Sequence, residues 1–266
     1  MQPIVGIISE YDPFHTGHAR QFALIRQALP DARIVCVMSG CFTQRGMPAL
    51  FSPAFRARAA LAAGADLVLE LPCAFAVRDA ENFALGGVTL LNSFGFISHL
   101  SFGCENDDLR FLQAAAQVLE HPSEAFAKAL RQALDAGLSF VAAQARAVAA
   151  GLAAQGVTGG APAADTVAPI TEPFPPQVSP SVADPSELLA KPNNILAICY
   201  LRALLRLGSS IAPLPVLRIG EYHADSLAAS GFPSASATRR AYLSGDFSAA
   251  GAACGYALTD ATPHLP

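Results

Sequence analysis

The chain has 266 residues, 52% of them apolar and 14% charged, with a formal net charge of −4. That length suffices for one large domain, or for one domain with a smaller lobe, around a sizeable core. The acidic balance argues against a general affinity for nucleic acid, which needs clustered Lys and Arg, although a local basic patch is compatible with it. The best candidate for a membrane span, "ALAAGADLVLELPCAFAV", is interrupted by Asp66 and Glu70 and does not read as one. No basic segment followed by an apolar stretch and a cleavage site opens the chain, so no signal peptide is expected. The cysteines, Cys36, Cys41, Cys73, Cys104, Cys199 and Cys254, show no CxxC spacing. They read as reduced, mostly packed thiols, and a cytoplasmic location is expected.

In chain order, "PIVGIIS" predicts a first strand and "GHARQFALIRQAL" a helix with one apolar face. "RIVCVMS" and "SPAFRARAALAAG" repeat that alternation, followed by "DLVLELP", "DAENFALGGVTLLNSFG" and "ISHLSFG". The strand-like runs are too apolar for one wet face and read as covered on both sides. Strand–helix alternation of this kind predicts an α/β fold built on a doubly wound parallel sheet. From Asn106 to about Ala154 the pattern is helical. "QGVTGGAPAADTVAPITEPFPPQVSPSVADP" then reads as a long surface loop, partly disordered. "KPNNILAICYLRALL" predicts a helix, "PLPVLRIG" a fifth strand, and "SASATRRAYLSG" the start of another helix.

Each unusual polar stretch follows the end of a strand: "EYDPFHTGH", "GCFTQRG", "PCAFAVRDAEN" and "GCEND". Ligands of open parallel sheets bind at that carboxyl edge. In "EYDPFHTGH" a helix starting near Thr16–His18 would present free N–H groups and the positive end of its dipole, an anion site. Gly17 would let a ligand approach the backbone. His15 and His18, about one turn apart, could donate to phosphate oxygens as charge develops there. A metal pair or plain cap and surface residues are the competing readings. A second cradle is expected at "SASATRR", where Ser234, Ser236 and Arg239 open a late helix. An ordinary Ser N-cap has the same pattern.

HxGH early and S-x-S-x-x-R late resemble the nucleotidyltransferase superfamily that shares its fold with class I aminoacyl-tRNA synthetases. The strings "EYDPFHTGH", "VMSGCFTQRGMPAL", "GADLVLELP", "SFGCEN", "KPNNIL" and "SASATR" stand in the order seen in bacterial tRNA(Met) cytidine acetate ligases, and the resemblance covers Val5 to about Arg240. It implies a Rossmann-like, HUP-type five-stranded parallel sheet with an added helical segment. It implies domains at 1–105 with 185–245 (catalytic), a helical insertion at 106–155, the loop at 156–184 and a truncated C-terminal tail at 246–266.

The activity implied is ATP-dependent activation of acetate as acetyl-adenylate, then formation of N4-acetylcytidine at the wobble position of elongator tRNA(Met). ATP is the substrate, with Mg2+ expected beside it, and tRNA(Met) is the partner. Tail segments that hold tRNA in the family are not matched, so tRNA binding is expected to be weak. The alternatives are an adenylyltransferase acting on a phosphorylated cofactor precursor, or a non-catalytic ATP-binding remnant.

Carried over by residue, the catalytic pair falls on His15 and His18. ATP contacts fall on Ile8, Ser9, Glu10, Tyr11, Asp12, Pro13, Phe14, His15, Thr16, Gly17 and His18, within an Ile8–Gln21 segment. Others fall on Gly103, Asn193 and Arg218, and the late phosphate cradle on Ser234, Ser236 and Arg239. The chain departs from the family at Cys41, commonly Asn, and at Pro53, often Lys, while keeping Arg56.

Overall fold

The structure, a computed structural model, describes residues 2–105, 108–157, 185–217, 234–259 and 262. Residues 158–184 of the expected loop, and Arg218, lie outside the described residues. The strands are β1 (Ile4–Ser9), β2 (Arg33–Ser39), β3 (Leu67–Leu71), β4 (His99–Cys104) and β5 (Ala212–Leu217). The helices are α1 (Thr16–Ala28), α2 (Pro53–Ala62), α3 (Cys73–Ala76), α4 (Ala80–Ser93), α5 (Leu109–Glu120) and α6 (Glu124–Asp135). They continue with α7 (Phe140–Ala154), α8 (Pro185–Leu189), α9 (Pro192–Arg206), α10 (Ala235–Leu243) and α11 (Phe247–Cys254).

The five strands form one parallel sheet in the order β3-β2-β1-β4-β5. In the central register Val5 lies beside Ile34 on one side and His99 on the other. The order reverses at β1, which makes the carboxyl end of β1 a topological switch point. Val5, Ile7, Ile34, Cys36 and Val37 are almost wholly buried, as strands covered on both faces require. The edge strand β3 departs from that expectation. With one neighbour it leaves Leu67 43% exposed. Pro213 and Pro215 sit in β5, the other edge, where a missing backbone donor is tolerated.

Two compact units group the chain: residues 1–101 with 218–266, and residues 102–217. In the first, α4 is pressed against β1, because Gly6 and Gly87 leave room for Leu91 and Ile8 respectively. An added Cβ would meet those side chains at 2.6 and 2.7 Å. Side-chain caps fix where helices begin: Ser52 for α2, Asp79 for α4, Ser234 for α10 and Asp246 for α11. The Gly- and Ala-rich end of the chain forms a packed helix, α11. Ala250 and Cys254 join a cluster with Leu50, Phe51, Tyr242 and Leu258.

In the second unit α6 packs on α7 and α5 on α9. Glu120, at the end of α5, accepts from Arg202 Nε at 2.6 Å and Arg206 Nε at 2.8 Å on α9. Residues 185–217 therefore group with the helical segment 108–157, whereas the sequence reading placed them in the catalytic domain.

Candidate functional site

The turn leaving β1 is held from several sides. Ser9, the last residue of β1, has a buried hydroxyl with no hydrogen-bond partner among the described residues, and so has Ser39, the last residue of β2. Glu10 accepts the Gln44 N–H, and burial pushes its carboxyl above the usual range. Tyr11 adopts a left-handed backbone (φ 48°), an uncommon conformation for a bulky residue. Its ring is buried and edge-on to Phe14 at 5.0 Å and His18 at 4.8 Å. The Asp12–Pro13 peptide is cis. Phe14 is buried and its carbonyl accepts from the Tyr256 hydroxyl at 3.0 Å.

The two histidines form the cap of α1. His15 is the N-cap residue, and its Nδ1 accepts the Gly17 N–H at 3.1 Å. His18 Nδ1 in turn accepts the His15 N–H at 3.1 Å, closing a reciprocal capping box. Their rings stack at 3.7 Å. An Nδ1 that accepts a backbone N–H carries no proton, so in this arrangement each neutral ring holds its proton on Nε2. The donor of each ring is then its Nε2–H. Gly17 serves this geometry directly: a Cβ there would come within 2.9 Å of the His15 ring. His15 is only 4% exposed. Ile8 and Thr16 complete the segment, Ile8 against α4 and Thr16 as the first residue of α1.

Arg56 organises the surrounding loops. Its side chain is wholly buried and donates to three carbonyls, those of Glu10, Gly40 and Phe51. It thereby ties the carboxyl ends of β1 and β2 to the entry of α2. Burial lowers its pKa from the ordinary value, while the charges of Asp12, Glu10, Cys41 and Glu70 act the other way. Gly40 is glycine because the Glu70 carboxylate lies against it; a Cβ would meet Oε1 at 2.1 Å. Pro53 takes the first turn of α2, where its missing N–H costs nothing, and Cys41 is exposed.

On the late helix the structure gives two of the expected phosphate ligands other partners. Ser234 Oγ accepts the Ala237 N–H at 3.1 Å as an ordinary N-cap. Arg239 donates to the Asp12 carboxylate and, at 3.1 Å, to the Pro48 carbonyl. Ser236 is exposed. The other Asp12 oxygen accepts the Leu50 N–H at 2.6 Å. Asp12 and Arg239 therefore brace the β1–α1 turn.

In the second unit Gly103 is the penultimate residue of β4. Asn193, in the first turn of α9, donates to Glu105 Oε1 at 2.7 Å, and buried Asn194 accepts the Glu105 N–H at 2.8 Å. Glu105 Oε2 is buried with no partner among the described residues. Sequence reasoning assigned no role to Glu105 or Tyr256 and noted Arg56 only as a retained residue. Glu105 stands inside a quoted string, but its side-chain partner Asn193, the Glu10 and Gly40 carbonyls that hold Arg56 and the Phe14 carbonyl that holds Tyr256 are distant in the chain. Among the described residues no group of three or more His, Cys, Asp or Glu could hold a metal ion. None of the described helices is long and apolar enough to cross a membrane.

Comparison with known proteins agrees with this fold. The family described as HIGH Nucleotidyl Transferase matches residues 1–262. The tRNA(Met) cytidine acetate ligase of Acetivibrio thermocellus is 37% identical over 242 residues, 91% of this chain and 51% of that protein. The ligase of the same name from Syntrophotalea carbinolica is 38% identical over 244 residues, again 91% and 51%. A crystal structure of Thermotoga maritima TmcAL bound with alpha-thio ATP superposes with a TM-score of 0.73 at 30% identity, covering 93% of this chain and 52% of that one. The apo form of that protein gives a TM-score of 0.78, with coverages of 94% and 54%. The chain spans about half the length of the curated relatives it matches.

Proposed function

Because the chain belongs to the HIGH nucleotidyl transferase family, we propose that it is an ATP-dependent ligase that activates acetate as acetyl-adenylate and supplies the acetyl group for N4-acetylcytidine at the wobble position of elongator tRNA(Met). The relatives that carry the name tRNA(Met) cytidine acetate ligase support this choice within the family. The observation that carries it is the histidine capping box at the carboxyl end of β1.

An acetate oxygen attacks the α-phosphorus of ATP, the bond to the bridging oxygen breaks, and pyrophosphate leaves with the electron pair. Negative charge grows on the phosphoryl oxygens during this step. The Nε2–H groups of His15 and His18 are the donors assigned to that charge, at a helix start whose dipole favours anions. Acetate is ionised at neutral pH, so no general base is needed for the first step. In the second step the cytidine N4 amine attacks the acetyl carbon, AMP leaves, and the nitrogen loses a proton.

The partnerless hydroxyls of Ser9 and Ser39 at the same strand ends suit a polar ligand there. The remaining carried-over ATP contacts, Gly103, Asn193 and Arg218, belong to this proposal as base, ribose and phosphate ligands. Ser236 is retained as a phosphate ligand, and Ser234 and Arg239 as groups that shape the phosphate end. Mg2+ is assigned to the triphosphate rather than to the chain, since it is commonly held by substrate phosphates with only one or two carboxylates. The proposed setting is the cytoplasm.

The test is pyrophosphate release from ATP by this chain with and without acetate. Acetate-dependent release is expected. Release that instead requires a phosphorylated cofactor precursor would make the chain an ordinary adenylyltransferase, and ATP binding without release would make it a non-catalytic binder.

A further inference from the structure

We propose that Tyr256 is a positioning residue for His18, acting through the one peptide unit that joins Phe14 to His15. The inference rests on the proposed role of His18 in adenylation. The carbonyl of that peptide accepts from the Tyr256 hydroxyl at 3.0 Å, and its N–H donates to His18 Nδ1 at 3.1 Å. A peptide unit is planar, so fixing the direction of its carbonyl fixes the direction of its N–H. A carbonyl that accepts a hydrogen bond also polarises its amide and makes the N–H a stronger donor. Tyr256 thus sets both the aim and the strength of the bond that keeps His18 Nδ1 unprotonated and its proton on Nε2.

The local structure explains how a residue so late in the chain reaches this turn. Helix α11 ends at Gly255, which adopts a left-handed conformation (φ 76°) suited to glycine. The N–H groups of Gly255 and Tyr256 both return to the Gly251 carbonyl, at 2.9 and 3.2 Å. That reversal throws the Tyr256 side chain toward the start of α1, where Gly255 itself lies against Thr16. The ring is steadied edge-on by Phe55 at 6.0 Å. Burial, with Cys254 beside the phenol adding to it, pushes the Tyr256 pKa upward, so the hydroxyl keeps the proton it donates.

Tyr256→Phe in the full chain removes the hydroxyl and keeps the ring. Nuclear magnetic resonance of 15N-labelled wild type should detect a coupling across the hydrogen bond between the His15 amide nitrogen and His18 Nδ1. In Tyr256→Phe that coupling should weaken, and hydrogen exchange at the His15 amide should rise by about tenfold, as expected when one good hydrogen bond is lost. Acetate-dependent pyrophosphate release should lose roughly three- to tenfold in kcat, with KM for ATP within about a factor of two. The thermal midpoint should stay near that of the wild type. Unchanged coupling and exchange in the variant would overturn the inference, as would a fall in kcat that merely followed a fall in folded fraction. If the wild type showed no acetate-dependent release, the proposed function would fall, and the coupling and exchange results would still decide the positioning claim by themselves.

Discussion

Arg239 on α10 is ion-paired with Asp12 in the turn between β1 and α1, although the two are 227 residues apart in the chain. The Asp12 side chain is only 8% exposed and also accepts the Leu50 N–H, so the pair joins a late helix to the loop that sets the histidines. Removing one partner of a largely buried pair leaves the other charge uncompensated. Arg239→Ala should therefore cost about 1–3 kcal/mol in urea unfolding. Arg239→Lys should recover part of it, because a single ammonium cannot reproduce the fork that reaches both Asp12 and the Pro48 carbonyl. Equal stability of Arg239→Ala and wild type would show that the pair does not brace the turn.

The N-cap role of His15 and the phosphate-donor role proposed for it can be separated by substitution. As N-cap it accepts the Gly17 N–H, a role that Asn fills well. His15→Asn should therefore stay within about 0.5 kcal/mol of wild-type stability. It should nevertheless lose adenylation by about 10²-fold or more, since the Nε2–H donor is gone. His18→Ala should show a similar loss of rate with a far smaller change in ATP affinity. A His15→Asn enzyme with normal turnover would reduce the histidine to a helix cap.

Much of this was legible in advance because it rests on local chemistry. Runs of Ile, Val and Leu announced the strands, and a glycine between two histidines at a strand exit announced a helix start. The histidine cap stood in the sequence only as a competing reading, because His is not a habitual capping residue and its Nδ1 bonds depend on rotamers that spacing does not reveal. Gly17 was read as room for a ligand, and in the folded chain it makes room for the His15 ring. In sequence Arg56 stands only as a retained residue; the convergence of three carbonyls explains its complete burial. The pairing of Arg239 with Asp12 and of Tyr256 with Phe14 is set by tertiary packing across more than 220 residues, beyond any sequence period.

Two carboxylates should give the stability profile opposite slopes on the acid side. Glu120 sits below its ordinary value of 4.5 although burial works the other way, because hydrogen bonds and charge from Arg206 and Arg202 outweigh it. Its contribution is present above that value and is lost as the pH falls through the depressed folded value. Glu10 is raised, chiefly by burial, so its protonated form favours folding and that advantage disappears as the pH climbs from 4.5 through the raised folded value. Glu10→Gln should then stabilise the chain at neutral pH, with the gain vanishing below pH 4.5, and Glu120→Gln should destabilise it at neutral pH and less in acid. Thermal midpoints measured against pH would check both signs, and a Glu10→Gln protein less stable than wild type at neutral pH would contradict the first.

The charge of the chain bears on tRNA. At a formal −4 it offers little overall attraction to a polyanion, and whatever basic contacts it makes should be sensitive to salt. Gel shifts with elongator tRNA(Met) should show weak binding at low salt and less at physiological salt, with slow N4-acetylcytidine formation. Tight, salt-resistant binding would place a tRNA site within these 266 residues.

The path of one oxygen atom tests the central claim most directly. If acetate attacks the α-phosphorus, the bridging oxygen of acetyl-adenylate comes from acetate and stays with phosphorus when the acetyl group is transferred. Incubating the chain with ATP, acetate labelled with 18O at both oxygens, and hydroxylamine as acetyl acceptor should yield acetohydroxamate and AMP bearing one 18O, read by mass spectrometry. AMP without label, formed while acetate is consumed, would mean that the acetyl group never passes through an adenylate on this chain.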